Sequence, residues 1–226
     1  MYLLLTGRIV SRGDGMEFRG VDETTIENGR ALNAAFLALA TGPAAPAGLE
    51  TDFKRRLRQL DARHLERLSR TPFLLFAVAV VETKPGPGTP LRDSMNLFDD
   101  PMSKAETRLV IATLSLLWSL ARADRHAARF LAGTPRGWCE EIAAASLVDV
   151  LDTTRQYDTM VVPRSATQRA FWDKLFVSAC DRRPSVRRAA RQSALQCVLT
   201  ELRDDSFGPV AVAACRTRAP ARRAAK

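Results

Sequence analysis

The stretch "LVIATLSLLWSLA", residues 109–121, constrains this chain more than any other. It lies within "SKAETRLVIATLSLLWSLARAD" (103–124), where apolar side chains cover nearly the whole circumference of a helix. A helix with no polar face has no side left for water, so it must be buried on most sides, in a core or in an oligomer interface. It is too short to cross a bilayer, and so is "FLLFAVAVV" (73–81). The chain must therefore supply other helices to wrap around it. Ser103, followed three residues later by Glu106, predicts a capping box at its start.

Those other helices are readable from spacing. "ENGRALNAAFLALAT" (27–41) places Leu32, Phe36 and Leu39 on one face, and "GPAAPAG" ends it. "ETDFKRRLRQLDARHLERLSR" (50–70) reads as one amphipathic helix, with Phe53, Leu57, Leu60, His64, Leu65 and Leu68 on a stripe. "TPFLLFAVAVVE" (71–82) suits either a helix starting at Pro72 or a buried strand. Ser146 with Asp149 predicts a helix start for "SLVDVLDTTRQ", and "YDTMVVPR" (157–164) reads as extended. Two helices follow, over 165–183 with Phe171, Leu175 and Phe176 inward, and over 184–202 with Val186, Ala190, Leu195, Val198 and Leu199 available to a core. The expected fold class is mainly α, a helical bundle with a small N-terminal region that contains a β element. "MYLLLTGRIV" at the start reads as a strand or an arm. The expected organisation is a mixed region over 1–84, a Pro/Gly linker over 85–93, a bundle over 94–202 and a basic tail over 203–226.

Hydrophobic residues make up 46% of the 226, enough for a real core. The formal net charge is +9 and the pI about 10.1, a balance that favours nucleic acid or another acidic partner. The four cysteines contain no CxxC pair and there are only two histidines, so neither a zinc site nor any other cofactor is expected. Scattered thiols and the lack of a basic leader before the first apolar run point to a cytoplasmic protein away from membranes. His64 and His126 are far apart, no Gly-rich phosphate loop exists, and the adjacent carboxylates Glu140-Glu141 and Asp99-Asp100 diverge on a helix. The chain reads as a non-enzyme.

"ARADRHAARFLAGTPRGWCEEIAAASL" (121–147) reads as helix, turn, helix, hinged at Gly133-Thr134-Pro135. Ala128 and Ala132 approach the turn, and Cys139 and Ile142 follow at the spacing a packed second helix needs. The second helix exposes Glu140 and Glu141, which oppose phosphate. A structural helical hairpin therefore fits better than a reader of the DNA groove.

Residues 110–164 resemble the D subunit (FlhD) of the bacterial flagellar master transcriptional activator. "LSLLWSLARAD" runs into "RHAARFLAG", where Asp124, Phe130 and Gly133 match the family pattern. In "EEIAAASLVDVLD", Ala143, Ala144 and Leu147 match, with Ile142 and Ser146 close. The resemblance implies an all-α, dimer-forming core that acts in a hetero-oligomeric DNA-binding complex. It also implies an influence on DNA binding for Asp124 and Phe130. The family's arginine after the phenylalanine is Leu131 here, its bridging cysteine is Val161, and its asparagine after the second helix is Tyr157.

Together these readings lead to an expected transcriptional regulator, binding DNA as a homodimer, as a larger homo-oligomer or with a partner subunit. The candidate contacts are Arg122, Asp124, Arg125, Arg129, Phe130, Arg187, Arg188 and Arg191. The alternative is a helical protein–protein adaptor or scaffold without DNA binding.

Overall fold

The computed structural model describes residues 22–43, 45–46, 49–81, 101–156, 158–165 and 168–203. "MYLLLTGRIV", the 85–93 linker, Tyr157 and the tail from 204 onward lie outside the described residues. Within them the chain is mainly helical, with one small antiparallel sheet.

Helix α1 spans Glu23–Thr41 and starts a turn earlier than spacing predicts, because Asp22 caps it, accepting from the Thr25 N–H at 2.6 Å. The predicted helix over 50–70 is two helices, α2 (Thr51–Arg58) and α3 (Ala62–Ser69). Asp61 breaks it, since its carboxylate accepts from the His64 N–H at 2.7 Å and opens a new helix. The stripe survives the break: Leu57 and Leu68 are buried, and Phe53, Leu60 and Leu65 pack at the edge of the core.

The open choice at 71–82 resolves as a strand. β1 (Phe76–Val81) pairs antiparallel with β2 (Asp158–Pro163), in a register that sets Phe76 opposite Pro163 and Val78 opposite Val161. The segment entering β1 is stapled to α1 by Asn33, which is fully buried. The Asn33 amide donates to the Phe73 carbonyl (2.9 Å), the Thr71 hydroxyl (3.2 Å) and the Ser69 carbonyl (3.3 Å), and its oxygen accepts from the Leu75 N–H (2.8 Å). Phe36 of α1 stacks on Phe76 with ring centroids 5.0 Å apart.

Helix α4 (Pro101–Ala123) is the expected central helix. Leu109, Val110, Thr113, Leu114, Leu117, Leu120 and Ala121 are buried, and it touches α1, β2 and the three helices after it, α5 (Arg125–Ala132), α6 (Arg136–Ala144) and α7 (Leu147–Gln156). Its apolar circumference is thus used within one chain. Ser103, predicted as the cap, lies inside the helix rather than before it. The helix already begins at Pro101, a residue suited to a first turn, and Glu106 instead accepts from the outward Val161 N–H of β2 at 2.8 Å. The helix start predicted at Ser146 does form, closed as a capping box: the Ser146 N–H donates to the Asp149 carboxylate at 3.2 Å and its hydroxyl accepts from the Asp149 N–H at 3.1 Å.

The last two helices form a hairpin. α8 (Arg169–Cys180) starts later than the predicted 165 and buries Phe171, Trp172, Leu175 and Phe176. α9 (Pro184–Arg203) buries Ala194 and Val198, while Val186, Ala190 and Leu195 are half-buried. Leu199, expected inward, is 51% exposed, because the buried face runs through Ala194 and Val198 and each further residue turns about 100° away. Residues from before and after the 85–93 stretch contribute to one hydrophobic cluster. No helix among the described residues is long and apolar enough to cross a membrane.

Several arginines close helix ends. Arg58 donates to the Thr41 and Gly42 carbonyls at the end of α1, Arg67 to the Ala179 carbonyl of α8, and Arg187 to the Asp181 and Arg182 carbonyls just after α8. Arg164, only 4% exposed, donates to the Phe130 and Leu131 carbonyls in the last turn of α5 and lies 5.2 Å from the Phe73 ring centre. Cations at these positions satisfy the final carbonyls and oppose the negative end of the helix dipole.

Candidate nucleic-acid interface

The hairpin singled out at 121–147 forms as α5, turn, α6. Asp124 leaves the helical path at the end of α4, and its carboxylate accepts from the His126 and Ala127 N–H groups at 2.9 and 3.0 Å. That cap separates α5 from α4. Gly133 ends α5 in the left-handed region at φ 68°, its N–H donating to the Arg129 carbonyl at 2.8 Å. A Cβ there would sit 2.6 Å from the Arg164 guanidinium, so both backbone shape and space demand glycine. In the turn the Thr134 hydroxyl meets the Cys139 sulfur at 3.1 Å, and burial pushes that thiol's pKa up.

The candidate contact residues divide by environment. Arg122, Arg125 and Arg188 are exposed, and Arg129 and Arg191 are half-buried. Arg122 lies over the Trp118 ring at 5.0 Å, while the Trp118 N–H donates to the Ala145 carbonyl. Arg187 closes the end of α8. Asp124 and Phe130 are parts of the scaffold: one caps α5, and the other packs against the core beside a cavity of about 30 Å³ lined with Ile26, Gly29 and Pro72. That space holds about one water, far below the size of a small-molecule site.

Helix α5, which carries Arg125 and Arg129, contacts α9, which carries Arg187, Arg188 and Arg191, while Arg122 lies in the last turn of α4. Residues 182–191 hold five arginines and no acid: Arg182, Arg183, Arg187, Arg188 and Arg191. Arg182 and Arg183, which are not among the contacts expected from sequence, stand exposed just before α9. Their signal is the doubled arginine before Pro184, mirrored by the doubled arginine after it. Asp181 sits beside them, and the Arg183 backbone N–H at 2.8 Å, helped by the Arg183 side chain, holds its carboxyl below the usual range. On α6, Arg136 pairs with Glu140 at 3.0 Å and Glu141 is exposed, leaving that helix acidic outward. Among the described residues no cluster of His, Cys, Asp or Glu could hold a metal.

No protein-family model, curated protein or solved structure matches this chain.

Proposed function

We propose that this chain is a DNA-binding transcriptional regulator, acting as an oligomer or with a partner subunit. It grips duplex phosphates through arginines on α5 and α9. The observation that supports this reading is the contact between α5 and α9, two arginine-bearing helices far apart in sequence. Charge placement supports it. The start of a helix carries partial positive charge, so arginines crowded before and within the first turns of α9 cost stability there unless an anion meets them. Acids on α6 keep that helix out of the groove, so affinity rests on the backbone and falls with salt.

The test is a titration against generic duplex DNA at two salt concentrations. The wild type binds at low salt and weakens steeply as salt rises. The exposed set Arg125→Ala, Arg182→Ala and Arg188→Ala flattens the log–log salt slope by about one for each phosphate no longer neutralised, with unchanged circular dichroism. No binding of the wild type at low salt overturns the reading and leaves the adaptor.

A further inference from the structure

Lys174 and Cys197 form the contact between α8 and α9 that has chemistry of its own. The Lys174 ammonium donates to the Cys197 sulfur at 3.1 Å, and both residues are half-buried. The other described thiols are placed differently. Cys139 is 1% exposed and held by Thr134, and burial pushes the pKa of both Cys139 and Cys180 up. Cys197 alone among them has an ammonium as hydrogen-bond donor.

We propose that Lys174 and Cys197 are a peroxide-driven crosslinking site, joined as a sulfenamide that ties α8 to α9. In the first step the Cys197 thiolate attacks one oxygen of hydrogen peroxide. An S–O bond forms, the O–O bond breaks, and the departing hydroxide takes a proton from the Lys174 ammonium and leaves as water. Sulfur is oxidised to the sulfenic acid and peroxide is reduced. The same proton transfer leaves Nζ neutral and nucleophilic beside the sulfur it will attack. In the second step the Nζ lone pair attacks Sγ, an N–S bond forms, the S–O bond breaks, and hydroxide leaves with a proton from nitrogen as a second water. No further oxidant is consumed. Sulfenic acids condense with backbone nitrogen to sulfenamides, a neutral amine is a stronger nucleophile than an amide nitrogen, and the half-buried setting leaves Cys197 open to peroxide. The product removes one positive charge from α8 and makes the hairpin a closed covalent loop.

The experiment treats the full chain with hydrogen peroxide, quenches it, digests it and maps every cysteine by mass spectrometry. The expected product joins the Lys174 and Cys197 peptides at a mass two hydrogens below their sum, and an added thiol releases both peptides. Lys174→Arg keeps a donor but not the nucleophile. It abolishes the link, while dimedone, a sulfenic-acid trap, still labels Cys197. Cys197→Ser, and the wild-type chain treated in urea, give no link. The proposal is overturned if wild-type Cys197 ends as a sulfinate or a disulfide while trypsin still cuts after Lys174. It is equally overturned if the link forms in urea.

Discussion

Asn33 and Gly133 show how single residues specify this fold. Asn33 satisfies four partners in a fully buried position, so replacing it leaves several backbone groups unpaired away from water. Asn33→Leu, which keeps the branched shape but none of the hydrogen bonds, is expected to cost about 3 kcal/mol, read as a lower urea midpoint with an unchanged slope. Gly133→Ala forces a Cβ into the left-handed region and against Arg164, and is expected to cost roughly 2 kcal/mol in the same assay. The need for glycine at the turn is legible from its place between two helical patterns. The guanidinium behind it is not, because Arg164 follows an extended segment thirty residues on, and nothing local marks it as buried.

At the scale of elements, caps decide where helices start. Asp124→Ala is expected to destabilise by about 1 kcal/mol, whereas Asp124→Asn, which can still accept, stays close to wild type. If Asp124 influences DNA binding by fixing α5, affinity falls with the alanine and returns with the asparagine in the same titration. Asp22 makes α1 acid-sensitive. The Thr25 N–H and hydroxyl hold its carboxyl below the ordinary aspartate range. A depressed carboxyl contributes stability that is present above the unfolded value and lost as pH falls through the folded one. The melting temperature is therefore expected to fall as the pH drops from 5 to 2, and Asp22→Asn makes that fall smaller. The same sequence signature has opposite outcomes at two places. Ser146-Asp149 closes its own helix, while Glu106, three residues after Ser103, is taken by the Val161 N–H from β2. A local motif cannot reveal a competitor that arrives from fifty residues away. The break at Asp61 is written locally, as an N-cap residue, but the leucine stripe continues across it and hides it.

In the whole molecule, β1 pairs with β2 and α1 packs on α4, so the parts on either side of 85–93 share their core. Fragments 1–90 and 91–226, expressed separately, are each expected to lack cooperative unfolding, and to regain it on mixing. A cooperative melt of 91–226 alone would show instead that the second part stands by itself. The strand pairing is not legible in the sequence because β1 is a short apolar run with no period, and its partner is distant. The arginines of the candidate interface are legible as charge, but not their employment. Arg187 closes α8, whereas Arg182 and Arg183 beside it stand exposed, and the spacing of charges alone does not separate the two cases.

The bond from Val161 to Glu106 also bears on how this protein behaves at high concentration. In an antiparallel pair, outward N–H groups alternate along the strand. The Arg164 N–H points inward to the Leu75 carbonyl and the Val161 N–H points outward, so position 163 also faces outward. Residue 163 is proline and has no hydrogen to offer. One outward donor of β2 is therefore occupied by a carboxylate and the next is missing, leaving an incoming strand a poor template there. Glu106→Ala would return one donor to that edge, and slow growth of light scattering on storage is the behaviour to expect from it.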